Sequence, residues 1–124
     1  MLKEGSITFL PCRDIEKTRE FYEEVLGLSL AMKQGETVCI FDCGYGYWGF
    51  CQYSDSRKPL SVSQGVCLSL NYPSKEEVDH RYEELKGRCT FTRLPQKHPL
   101  YPVYSCFLQD PDGYTVELQT ITEK

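Results

Sequence analysis

Apolar and polar positions run along this chain in two rhythms. Residues 5–12 (GSITFLPC) read as a short strand. From Asp14 the spacing becomes helical, with Ile15, Thr18, Phe21, Tyr22, Val25 and Leu26 on one face and Gly27 as a stop. Asp14 is placed to cap that helix, and Glu16 suits its positive first turn. The helical period then vanishes. Leu28–Lys33, Thr37–Asp42 and Tyr47–Tyr53 are strand-like runs punctuated by Gln34-Gly35, Gly44 and Gly46.

A polar, proline-bearing segment (54–64) reads as a connection, and the pattern then repeats. Val66–Leu70 is strand-like. Ser74 and Glu77 have capping-box spacing ahead of a helix with a Val78, Tyr82, Leu85 stripe, ended by Gly87. Cys89–Leu94, Val103–Leu108 and Tyr114–Ile121 read as strands, separated by a proline-rich loop (Leu94–Pro102) and an Asp110-Pro111-Asp112-Gly113 turn. A 60-residue offset lays Ile7 on Cys67, Leu10 on Leu70, Asp14 on Ser74 and the Tyr22-Glu23-Glu24 run on Tyr82-Glu83-Glu84. Each half leaves one sheet face without a helix, and pairing two halves would cover both. The expected fold is therefore α+β: two βαβββ modules, about 1–57 and 58–124, forming one domain (1–124) with a curved mixed sheet around a central cavity.

Composition narrows the class. With 124 residues, 40% hydrophobic and 26% charged, the chain is globular and of single-domain size. A net charge of −4 argues against nucleic acid as partner. No apolar run approaches the ~18 residues of a membrane span, and no signal-peptide pattern opens the chain. A cytoplasmic protein is expected. The seven cysteines form no CxxC pair, so they read as reduced, mostly buried thiols acting as small hydrophobes.

Two stretches carry a family likeness. Asp14-Ile15-Glu16-Lys17-Thr18-Arg19-Glu20-Phe21-Tyr22-Glu23-Glu24-Val25-Leu26-Gly27-Leu28 resembles the first-helix signature of the glyoxalase/bleomycin resistance/dioxygenase (vicinal oxygen chelate) superfamily. Asp110-Pro111-Asp112-Gly113-Tyr114-Thr115-Val116-Glu117-Leu118 resembles its closing motif. Metal-dependent members present four ligands, chiefly His and Glu, from strands lining the cavity, for Lewis-acid chemistry. The resemblance puts these at Ile7 (Ser6 after a one-residue slip), near Gly49 or Phe50, at Cys67 and at Glu117. Only Glu117 is a ligand of the usual type, so three of the four are missing and no metal cofactor is expected. His80 falls on the polar side of its helix, and His98 lies in a loop.

The ligand-binding positions implied are Phe9, Trp48, Cys51, Cys67, Ser69, Ser105, Phe107, Glu117 and Gln119. Tyr45-Gly46-Tyr47-Trp48-Gly49-Phe50 packs four rings into six residues, which suits an aromatic-lined pocket as well as a core. The favoured reading is a binding protein for a small organic ligand, without catalytic metal and as a homodimer. The alternative is a divalent-metal-dependent lyase, isomerase or dioxygenase.

Overall fold

In the computed structural model, which describes residues 2–52 and 65–122, each half of the chain runs strand, helix, three strands. The first half comprises β1 (Ile7–Cys12), α1 (Ile15–Arg19) continuing into a π-helical turn (Glu20–Val25), β2 (Ser29–Gln34), β3 (Val38–Asp42) and β4 (Tyr47–Gln52). The second comprises β5 (Cys67–Asn71), α2 (Lys75–Leu85), β6 (Phe91–Lys97), β7 (Val103–Gln109) and β8 (Thr115–Ile121). The sheet orders are β1-β4-β3-β2 and β5-β8-β7-β6. In each, the first strand lies parallel to the last and the other neighbours are antiparallel. These are the two mixed four-stranded modules expected, within the compact units Met1–Val62 and Ser63–Lys124. The expected boundary near 57/58, the 54–64 connection and Tyr53 lie outside the described residues.

In the first module Asp14 caps the helix: its Oδ1 accepts from the Glu16 and Lys17 N–H groups at 3.1 and 3.4 Å. Where a continuous α-helix is expected, the chain widens into a π turn after Arg19. Leu26 N–H donates to the Phe21 carbonyl at 2.9 Å, an i→i+5 bond. The widening accompanies burial of two consecutive rings, Phe21 and Tyr22, which meet edge to face at 4.9 Å. Tyr22 is fully buried. It stacks on Phe50 at 4.5 Å and reaches Phe41 at 5.7 Å and Trp48 at 6.2 Å. Gly27, at φ 76°, then turns the chain into β2.

The second module starts its helix with Ser74, whose Oγ accepts from the Glu77 N–H at 3.2 Å. Val78 and Leu85 are buried beneath α2, which packs on β7 and β8. Their partners come from the alternating residues Cys106 and Leu108 of β7 and Val116 and Leu118 of β8, all fully buried. Tyr104 Oη donates to Asp79 Oδ1 at 2.6 Å, tying α2 to β7; that bond pushes the phenol up to about 12. β6 runs on to Lys97, through Pro95, where a loop is expected from Leu94. An edge strand tolerates a missing N–H, and the register with β7 slips between Arg93 and Gln96, around the proline.

Tyr22 anchors the first module's helix to three rings of its sheet. Tyr22→Ala should therefore cost about 3–5 kcal/mol, the range for deleting a buried aromatic ring. Chemical denaturation checks this, and a loss below about 1 kcal/mol would mean that the stack is not what seats the helix.

Candidate functional site

Burial of Val116, Leu118 and Thr120 on the helix side of β8 turns Thr115, Glu117 and Gln119 to the other face. Register carries that face across the sheet. Glu117 pairs with Ser69 on β5 and with Phe107 on β7, and Phe107 pairs with Arg93 on β6. One row therefore reads Ser69, Glu117, Phe107, Arg93. Its side chains touch at both ends: Ser69 Oγ donates to Glu117 Oε1 at 2.5 Å, and the Arg93 guanidinium lies over the Phe107 ring at 5.3 Å. Cys67 stands two residues before Ser69, its Sγ 3.7 Å from the Ser69 Oγ. Desolvation pushes the Cys67 thiol above its usual range and the nearby Glu117 charge adds to this, against the lowering effect of Ser69.

The first module offers the same frame with different chemistry. Gly49 pairs with Phe9 across the parallel β1–β4 ladder, as Glu117 pairs with Ser69 across β5–β8. Gly49 is thus the counterpart of Glu117, and Phe9 of Ser69. The Phe9 ring lies directly over the glycine: a Cβ added at Gly49 would sit 2.6 Å from ring carbons Cδ1 and Cε1. An aromatic side chain here covers the bare backbone of its neighbour.

A family model of the Glyoxalase/Bleomycin resistance protein/Dioxygenase superfamily matches residues 6–118. The chain belongs to that superfamily. Solved structures with the same fold include a glyoxalase/bleomycin resistance protein/dioxygenase from Nocardioides. That structure is 19% identical, with a TM-score of 0.76 over 99% of this chain and 87% of its own. A lactoylglutathione lyase from Agrobacterium tumefaciens is 22% identical, with a TM-score of 0.74 over 92% of this chain and 90% of its own. A family enzyme from Burkholderia phytofirmans PsJN is 20% identical, with a TM-score of 0.74 over 94% and 97%. No curated protein matches the sequence.

The four positions at which metal-dependent members of the superfamily hold their ion can be tested on donor chemistry. Ile7 carries no side-chain donor atom, and neither does Gly49, whose overlying space is filled by Phe9. Cys67 offers a thiol whose proton is held by desolvation. Glu117 alone is a carboxylate, and one of its oxygens already accepts from Ser69. Among the described residues no three His, Cys, Asp or Glu side chains gather closely enough to share an ion. These residues do not fit the family's metal.

Of the other residues expected at a ligand site, Cys51 and Phe9 share the helix-free face of the first sheet with Gly49, as register and alternation require. Phe9 is 51% exposed. Trp48 is corrected: it points to the opposite face, buried against Tyr22, and with Phe50 it belongs to the core. The aromatic run from Tyr45 to Phe50 is therefore mostly interior packing, with Tyr45 left exposed. Ser105 and Gln119 pair on the same face as Glu117, yet Ser105 is fully buried and its Oγ has no partner among the described residues. Arg93 escaped the sequence reading although it lies in the expected strand Cys89–Leu94; a register shift between Phe91 and Arg93 sets it opposite Phe107, which plain alternation from Phe91 does not give.

The histidines stand apart from this face. His80 is exposed on α2, 3.6 Å from Glu84. His98 Nδ1 accepts from the Leu100 and Tyr101 N–H groups at 3.0 and 3.1 Å, closing its own turn. All seven cysteines are free thiols. Only Cys12, Cys39 and Cys106 are buried, so the expectation of mostly buried thiols is corrected: Cys67 is exposed and three others are half-buried. Cys51 and Cys67 are strand residues that face away from the helix, where an apolar neighbour in sequence gives no cover, and Cys43 and Cys89 lie in connections outside the strands.

Two outcomes follow from this geometry. Gly49→Ala should destabilise the fold by about 1–3 kcal/mol through overpacking against the Phe9 ring. Most of that loss should disappear in a Phe9→Ala background, a coupling read from a double-mutant denaturation cycle. Cys67 should be the first thiol alkylated in the native protein. Because the Glu117 charge raises its pKa, Glu117→Gln should increase the thiolate fraction and speed Cys67 labelling at pH 8. Unchanged labelling would show that the carboxylate exerts no field at the sulfur.

Proposed function

We propose that this superfamily member binds a small organic ligand on the helix-free face of its second sheet, without a catalytic metal. The observation that supports this is the donor set: two of the family's four ligand positions, Ile7 and Gly49, have no coordinating side-chain atom, while Glu117 keeps its carboxylate beside the half-buried Phe107 ring. A lone carboxylate holds a divalent cation weakly, since it competes with the ion's hydration shell. The same group is a good anchor for a donor on an organic molecule. Phe107 supplies apolar area, and Gln119 and Thr115 supply further polar atoms on that face.

The reading extends to a homodimer, supported by large apolar side chains left exposed at Phe9, Leu94, Leu100, Tyr101 and Ile121. Light scattering should then give about twice the 14.4 kDa chain mass. No helix among the described residues is long and apolar enough to cross a membrane.

Elemental analysis of protein purified without chelator tests the central claim. It should find no stoichiometric nickel, zinc, iron or manganese, and chelator should leave the melting temperature unchanged. One metal per chain, lost in Glu117→Gln, would overturn the reading in favour of a metal-dependent lyase, isomerase or dioxygenase.

A further inference from the structure

Two opposite charges flank one ring on the second sheet. Glu117 and Arg93 stand on either side of Phe107 in a single cross-strand row, one strand away in each direction. Strand spacing puts their Cα atoms about 10 Å apart, and the arginine closes part of that gap by laying its guanidinium over the ring. They do not neutralise each other, since no ion pair joins them. Glu117 uses one oxygen to accept from Ser69 and has no other hydrogen bond among the described residues. Arg93 has no carboxylate within ion-pairing reach among the described residues, only the ring beneath it.

The Arg93 guanidinium, 5.3 Å from the Phe107 ring centroid, has no carboxylate partner among the described residues, and its forked N–H groups match a carboxylate in bidentate fashion. The free lone pairs of Glu117 match an ammonium or amide N–H. Between them Phe107, half-buried, offers the part of its ring that Arg93 does not cover as an apolar surface. Ser69 restrains the carboxylate and Phe107 the guanidinium, which lowers the cost of ordering these side chains on binding.

The geometry points to an amphoteric ligand: a small molecule with a carboxylate at one end, an amine at the other and a flat apolar middle, bound with its carboxylate on Arg93 and its amine on Glu117. This rests on the small-molecule reading above and goes further by naming the ligand's class. A molecule carrying only one of the two groups would leave the opposite protein charge unmatched, so discrimination comes from both ends.

Calorimetry with three probes tests it: para-aminomethylbenzoate, benzoate and benzylamine, near pH 7 and low salt. The zwitterion should bind at least roughly tenfold more tightly than either singly charged probe. Arg93→Gln should abolish its advantage over benzylamine while keeping that over benzoate. Glu117→Gln should do the reverse, and equal melting temperatures would show both variants folded. Equal binding of the three probes, binding of none, or variants that weaken all probes alike would overturn the amphoteric assignment. If the singly charged aromatics bind as well as the zwitterion, the small-molecule reading survives and this inference alone falls. A stoichiometric metal found in the purified protein would strike the earlier reading instead.

Discussion

Everything on the second module's helix-free face depends on what β8 buries behind it. Val116, Leu118 and Thr120 are 5% exposed or less, lying on the side of the sheet where α2 seats Val78 and Leu85. A strand with a period of two cannot change one face without changing the other, so this burial commits Thr115, Glu117 and Gln119 outward. A slip of one residue would drive the Glu117 carboxylate under the helix, where an unpaired charge costs several kcal/mol. The Asp110 turn guards against such a slip: its Oδ1 accepts from the Asp112 and Tyr114 N–H groups at 2.8 and 2.9 Å, just ahead of the strand. Hydrophobic pattern and turn chemistry thus specify the same register.

The two modules show how one frame carries unlike chemistry. Parallel ladders make Gly49 and Glu117 equivalent, and likewise Phe9 and Ser69. In the first module the pair is a glycine under a ring, and Ile40 pairs beside it, so the row is apolar. In the second it is a carboxylate bonded to a hydroxyl, continued by a ring and a guanidinium. Helix caps and core stripes are common to both, because these are demands of folding. The helix-free faces differ, because the helix packing places no demand on them.

That division also accounts for what could be read from the sequence. Asp14, Ser74, both helix stripes, the 60-residue repeat and the β8 alternation each leave a local signature, and each appears as expected. Trp48 does not. In Tyr47-Trp48-Gly49-Phe50 every residue is buried, so no polar position reveals which way a ring points; only pairing with Phe41 and contact with Tyr22 decide it. The π turn is equally silent, since its apolar spacing satisfies a helix of either width. Pro95 misleads in the opposite direction: it reads as a loop, whereas an edge strand can carry it with a register shift. Arg93 was hidden by a second shift, between Phe91 and Arg93. The repeat itself holds at 60 residues through the helix starts and then lengthens, to 62 between the starts of β2 and β6 and to 68 between Gly49 and Glu117, most of it in the longer β6–β7 hairpin.

The chemistry retained at Glu117 follows from its neighbours more than from its family position. Ser69 donates to one oxygen, which orients the carboxylate and leaves the other to receive a donor. The Cys67 thiol nearby is raised by desolvation and by Glu117 itself, so at neutral pH it stays protonated and brings no second negative charge. A metal site would need the reverse, with a thiolate and a carboxylate together and further side-chain donors, which Ile7 and Gly49 cannot supply. What remains is a single oriented acceptor at the edge of an apolar ring, with a cation beyond it. Coordination requires several donors converging on one point, whereas this row spreads its charges across three strands. Charges spread in that way offer no single point of convergence, so the spacing of the row, more than any single residue in it, is what separates its chemistry from that of a coordination site.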